Sequence, residues 1–157
     1  MPTAIALCKF VGTISLGLLT GVSYTLSTQS LPSLLTLPSA KPAAYTLSQT
    51  TRLATLHVRT LSAISAASLF LAFYLSPPRI RHPYLVWTGL VAAASGALNL
   101  AMDKSAKQHV AIDEVGDVNG EQVEKRARDQ QYLEFVRTGV AGLGFTMGVI
   151  GVWGDGA

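Results

Sequence analysis

The chain has 157 residues, room for one domain, yet only 13% are charged where an ordinary soluble domain carries about 25%, and 49% are apolar. The net charge of +3 is small and no Lys/Arg-rich run is interleaved with aromatics, which argues against nucleic acid as a partner. A single cysteine, Cys8, excludes an intramolecular disulfide and a zinc cluster.

The charge is also unevenly placed. Of the 21 formal charges (12 basic, 9 acidic), 14 lie between Asp103 and Arg137. That pattern suits an integral membrane protein with one polar segment. Cys8 reads as a buried or lipid-facing thiol, with palmitoylation as the alternative.

The first apolar run covers 10–26. Lys9 precedes it, as in a signal peptide, but no A-x-A site follows, so the run is expected to be a retained span. Gly17 and Gly21 in it form a GxxxG pair, which lets two helix backbones approach closely.

Residues 27–52 carry Pro32, Pro38 and Pro42, which are expected to prevent a long helix. Leu31, Leu34, Leu35 and Leu37 make the segment too apolar for a free linker. An interfacial or re-entrant segment and a flexible Ser/Thr-rich loop both remain open.

The second run covers 56–75, with His57 and Arg59 in its first turn, and the third covers 84–102 without a charge. Between them stands "PPRIRHP". Placing Arg79 and Arg81 at the bilayer centre would cost about 2.5–3.5 kcal/mol each, and three prolines would break a helix there. The two runs are therefore predicted to form a hairpin. Pro83 suits the first turn of the third helix. Arg79, Arg81, Tyr84 and Trp87 are expected to anchor this end at headgroup depth, together with Trp153.

The segment 103–137 is predicted to face water. Asn119 with Gln122 reads as a capping box, and Glu121–Lys125 and Glu124–Arg128 are favourable i,i+4 pairs. A short charged helix should therefore lead into the last run, 138–153. Glu121, Lys125, Arg128 and Tyr132 are the candidate partner-binding residues of this segment, although a solvated face alone would look the same. In the last run Gly144 and Gly148 form a second GxxxG pair. Packing within one bundle is the first reading of these glycines, and homo-oligomer formation is the other.

The expected fold is thus an all-α integral membrane protein with four transmembrane helices in two hairpins. A soluble four-helix bundle would need a polar face at 3.6-residue spacing, and here the off-face positions are Ser, Thr, Ala and Gly. Four spans place Lys9, Arg79 and Arg81 on one side. The other side would hold Lys41, Arg52, Arg59, Lys104, Lys107, Lys125, Arg126, Arg128 and Arg137, which favours facing the longer segments to the cytosol.

Little chemistry is visible. His57, His82 and His109 are scattered, and no P-loop, dinucleotide fingerprint or G-x-S-x-G is present. Every Asp and Glu falls in the 103–137 segment or the tail, so no carboxylate is expected inside the membrane. No cofactor, metal site or catalytic residue is expected, and the chain reads as a non-enzyme.

The stretches "KFVGTISLGLLTGVSYTLST", "RHPYLVWTGLVAAASGALNLAM", "GDVNGEQVEKR" and "VRTGVAGLGFTMGVIGVWGDGA" resemble the fungal autophagy-related protein 33 family. The resemblance implies a multi-pass protein of the mitochondrial outer membrane involved in mitophagy. Its implied partners are the lipid bilayer and the autophagy machinery or other mitochondrial membrane proteins. No catalytic residue can be carried over from the family. A direct receptor would display an aromatic-x-x-Leu/Ile/Val strand. Tyr132-Leu133-Glu134-Phe135 ends in Phe, and Trp87-Thr88-Gly89-Leu90 falls inside a predicted span. An accessory role is therefore favoured over a direct receptor. A four-span membrane enzyme using Arg79, Arg81 and His82, and an assembly subunit of a membrane complex, are the alternatives.

Overall fold

The computed structural model describes residues 2–78, 81–113 and 120–154, with the backbone alone at 2 and 101–113. Among the described residues every regular element is helical: α1 (Pro2–Thr25), a π-helical turn (Leu26–Ser30), α2 (Leu31–Leu34), α3 (Ala40–Leu75), α4 (Tyr84–Asp113) and α5 (Gly120–Gly154).

α1, the π turn and α2 form one rod, because Thr25, Ser30 and Leu31 all keep right-handed helical dihedrals. The widening has a local cause. Ser27 Oγ and Thr28 Oγ1 both donate to the carbonyl of Tyr24, at 3.0 and 2.7 Å, and compete there with the backbone ladder. Pro32 lacks the N–H that would bond Thr28 and crowds that carbonyl, and the widened turn relieves the crowding. The rod ends at Leu35, where the chain tightens into a short turn.

The expectation that three prolines keep 27–52 out of long helices is therefore corrected. Pro32 lies inside α2, and Pro42 lies in the first turn of α3, where a missing N–H costs nothing. Ser39, in extended conformation, starts a helix of 36 residues that reaches Leu75. The predicted charged helix does lead into the fourth run, and the two are one element. Gly120–Gly154 is one helix of 35 residues, and its charged half passes into its apolar half without a break. The proposed cap Asn119 lies outside the described residues.

α1 packs against α3 and α5, and α4 packs against the same two helices, so the four rods form a square. Their register is antiparallel around the square. Thr13 meets Gly148 while Phe145 meets Gly17, and Val91 meets Gly144 while Tyr84 meets Gly151. A hydrophobic cluster of Leu16, Leu19, Val58, Ala92 and Ala141 joins all four helices.

The polarity of the bundle is inverted. Thr13, Ser15, Ser23, Ser62, Ser65, Thr88 and Ser95 are buried, while Leu7, Phe10, Leu18, Leu71, Leu90, Leu143 and Ile150 are exposed. Such an exterior suits lipid. Three helical stretches, Thr3–Leu34, Ala40–Leu75 and Gly120–Gly154, are long and apolar enough to cross a membrane, whereas the apolar part of α4, Tyr84–Leu100, is shorter.

The glycines divide between inside and outside. A Cβ on Gly17 would lie 2.8 Å from the Phe145 ring, one on Gly144 would lie 2.8 Å from Val91, and one on Gly148 would lie 3.2 Å from Thr13. These three sit between helices of one chain. Gly21 is different. It is exposed and a Cβ there meets nothing, so its expected role in close packing within the bundle is corrected. It lies one turn past Gly17, where the rod turns that face outward.

A substitution pair checks this division. Gly144→Val is expected to cost about 1–3 kcal/mol by overpacking, seen as a lowered Tm of the purified protein in detergent. Gly21→Ala is expected to change stability by less than about 0.5 kcal/mol.

Candidate functional site

The buried positions of α5 are Ala127, Glu134, Arg137, Ala141, Gly144 and Gly148. Their spacing of three, four or seven residues is one continuous stripe, so the face that presents glycine near Gly148 presents a carboxylate and a guanidinium further up. Glu134 and Arg137 are each only 2% exposed, and Arg137 Nη1 pairs with Glu134 Oε1. On the facing helices, Arg59 Nε donates to Asn99 Oδ1 at 2.9 Å, and Asn99 is buried.

These groups share one level. Thr51 Oγ1 donates to Gln130 Oε1 at 2.8 Å, which fixes α3 against the parallel α5. Seven residues further along each helix, Val58 and Arg137 come to the same height. The Val91–Gly144 contact fixes α4 against α5 and brings Leu98 and Asn99 to the same height. The bundle therefore holds a polar layer of Arg59, Asn99, Glu134 and Arg137. One helical turn further out, Gln131 Nε2 donates to the Ser27 carbonyl at 3.0 Å, which the π turn brings into reach.

Beyond the layer is a second small core. Leu31, Leu34, Ala43, Leu47 and Ala127 are buried together there, with Leu35 and Val123 against them. α2 and the first turns of α3 and α5 build it. The segments 27–52 and 103–137, read from sequence as loops, thus supply a folded cap on one end of the bundle through their described parts.

Glu134 and Arg137, expected to face water with the rest of the 103–137 segment, are instead buried in the bundle. Burying two ions costs several kcal/mol each, and the pair is tolerated because each supplies the other's counter-charge. The second oxygen of Glu134, Oε2, and the hydroxyl of Ser23 are buried with no hydrogen-bond partner among the described residues. Glu134 and Arg137 fall just before the last apolar run, so counting charges assigned them to water. The signal was the periodicity: stepping back from Gly148 and Gly144 by three and four reaches Ala141, Arg137 and Glu134.

The expected partner-binding residues lie on the outer face of the same helix. Glu121, Lys125, Arg128 and Tyr132 are all exposed, at spacings that make one stripe. Arg128 pairs with Glu124 at 2.8 Å across an exposed surface, worth a few tenths of a kcal/mol. The Tyr132–Phe135 and Trp87–Leu90 stretches are both helical. Neither is in the extended form that strand addition requires.

At the opposite end, Trp87 and Trp153 are exposed. Tyr84, expected as an interfacial anchor, is half-buried with its ring packed on Gly151, because the glycine leaves room for it. Arg81 donates to the carbonyls that end α3, and Arg79 lies outside the described residues. His82 is exposed, 6.1 Å from the Tyr84 ring centroid. Among the described residues no three His, Cys, Asp or Glu side chains gather as metal ligands.

Comparisons with known proteins agree on one family. A family model described as autophagy-related protein 33 matches residues 1–134. A curated protein of Gibberella zeae named autophagy-related protein 33 is 34% identical, over 99% of this chain and 93% of its own length. No solved structure matches.

Removing one member of the buried ion pair leaves the other uncompensated. Glu134→Ala is expected to cost about 3–5 kcal/mol, whereas replacing both Glu134 and Arg137 by leucine should recover most of that loss. Thermal unfolding of the single and double variants in detergent checks it. Glu121→Ala, on the exposed face, should stay within about 0.5 kcal/mol.

Proposed function

This chain belongs to the autophagy-related protein 33 family, and from that premise we propose that it is a four-span protein of the mitochondrial outer membrane. In this reading it takes part in the selective autophagy of mitochondria as a non-catalytic accessory factor. The observation that carries the membrane part is the inverted polarity, with hydroxyls inside and large aliphatic side chains outside.

The short apolar stretch of α4 fits a span because of its neighbours. α4 lies between α3 and α5, and its Tyr84–Leu100 stretch is level with their apolar halves. If α3 and α5 cross the bilayer, α4 is carried across with them. Its buried face needs no lipid-length hydrophobicity, since Thr88, Ser95 and Asn99 turn inward.

The accessory role rests on the helical state of the two aromatic stretches. The candidate docking surface is instead the outer stripe of α5, Glu121, Lys125, Arg128 and Tyr132, carried on the small cap. The cap faces the cytosol in this reading, as the basic count of the two longer segments favours.

Two measurements test the proposal. Deleting the gene and starving the cells should reduce delivery of a mitochondrial matrix reporter to the vacuole, and normal delivery would sink the mitophagy reading. Protease added to intact mitochondria should cut a site engineered beside Lys125 but leave one engineered beside Ser76 intact. The reverse pattern would invert the orientation.

A further inference from the structure

The turn joining α3 to α4 has a feature that the proposed function does not use. α3 stops because Ser76 is extended (ψ 130°) and Pro77 and Pro78 follow. Arg81 then folds back onto the helix end. Its Nε and Nη2 donate to the Ser76 carbonyl at 3.3 and 3.2 Å, and Nη2 also reaches the Tyr74 carbonyl at 3.5 Å. The guanidinium carbon lies 4.9 Å from the centre of the Phe73 ring. A cation here complements the negative end of the α3 dipole.

These contacts occupy one edge of the guanidinium. Its Nη1 edge has no hydrogen-bond acceptor among the described residues, and the side chain is exposed. Beside it runs an open groove of about 530 Å³, lined by Phe73, Pro78, Arg81, Pro83, Val86 and Trp87. One wall is therefore a fixed cation and the rest is apolar and aromatic. No Asp or Glu occurs in the first 102 residues, so neither helix of this hairpin supplies a carboxylate near the turn.

We propose that this groove holds one anionic phospholipid, with its phosphate on Arg81 and an acyl chain along Phe73, Val86 and Trp87. A planar guanidinium already held on one edge offers its other edge to phosphate oxygens at little further entropic cost. A free phosphate would meet the cation but gain nothing from the apolar wall. A neutral phosphatidylcholine would fill the wall but bring its own quaternary ammonium near the arginine. The proposal rests on the membrane reading of α3 and α4 and is independent of any role in mitophagy.

A second groove supplies the control. About 290 Å³ of space lies between α1 and α5, lined by Phe10, Thr13, Ile14, Phe145, Val149, Val152 and Trp153, with no charged side chain. Each groove thus contains one of the two tryptophans of the chain. Their fluorescence reports the two sites separately.

The test reconstitutes the full chain in phosphatidylcholine vesicles containing a small fraction of brominated lipid. A Trp153→Phe protein reads Trp87, and a Trp87→Phe protein reads Trp153. Brominated phosphatidic acid should quench Trp87 with about a tenfold preference over brominated phosphatidylcholine, the scale of one charge-assisted contact. Trp153 should show no preference. Arg81→Gln should abolish the preference at Trp87. Val86→Phe, which narrows the groove and keeps the arginine and its contacts to α3, should weaken it and serves if the Gln variant does not fold.

Equal quenching of Trp87 by the two lipids, or an undiminished preference in both variants, overturns the proposal. Loss of the preference in millimolar inorganic phosphate also overturns it, by showing a simple anion site. Absence of quenching at both tryptophans by either lipid would instead refute the membrane reading on which it stands.

Discussion

Two serines on α3 hold the bundle to its register. Ser65 Oγ donates to the carbonyl of Gly12 on α1 at 2.8 Å, and Ser62 Oγ donates to the carbonyl of Ala92 on α4. Both are buried. In water, helices associate to hide apolar surface; between lipid tails that drive is gone, and contact and hydrogen bonding must replace it. A hydroxyl reaches a backbone carbonyl of the next helix only if the helices are very close. Gly12 and Gly96 make this possible: a Cβ on Gly96 would lie 2.6 Å from the Ser62 hydroxyl, and one on Gly12 would lie 2.7 Å from Leu69. Glycine on one helix and serine on the next act as a pair, the first giving the approach and the second the bond.

The same logic explains the change along the rods. Where the bundle is apolar outside, its interior sets serine, threonine, alanine and glycine among a few leucines such as Leu16, Leu19, Leu69 and Leu85. Above the layer of Arg59, Asn99, Glu134 and Arg137 the arrangement reverts to that of a water-soluble protein. Leucines are buried there, and Lys41, Glu124, Lys125 and Arg128 are exposed. The layer marks the changeover between two ways of packing four helices. The Arg59–Asn99 bond joins α3 to α4, so a slip of either helix by a turn would break it, whereas Glu134 and Arg137, both on α5, would move together. That bond adds to the register set by the Ser62 and Ser65 hydroxyls.

Much of the fold was legible in the sequence. The uncharged runs located the helices, and the arginines and prolines of 77–83 separated α3 from α4. Helix ends were less legible, since hydropathy reports where a helix meets lipid and not where it stops. Ala40–Leu56 and Gly120–Arg137 continue the rods with polar residues outside, so a scan for apolar runs cuts them off. Pro32 was misread because the damage done by a proline depends on the turn before it, and Ser27 and Thr28 widen that turn. Glu134 and Arg137 were missed because charge was weighed by amount and not by phase. Gly21 and Gly17 have the same spacing motif around them, but only contact with Phe145 distinguishes the useful one.

The length of α3 has a mechanical consequence. Its 36 residues make a rod about 54 Å long, while a hydrocarbon core is about 30 Å thick. In the proposed membrane arrangement about 24 Å would project on one side, braced by α2 and α5 through the leucine core. That projection is a pedestal. In that arrangement it would lift the outer stripe of α5 clear of the lipid headgroups, and the height and heading of that stripe would be set by the bundle below. A protein docking there would meet it at a set distance from the bilayer, and tilting the helices in a thinner or thicker membrane would swing the contact point sideways.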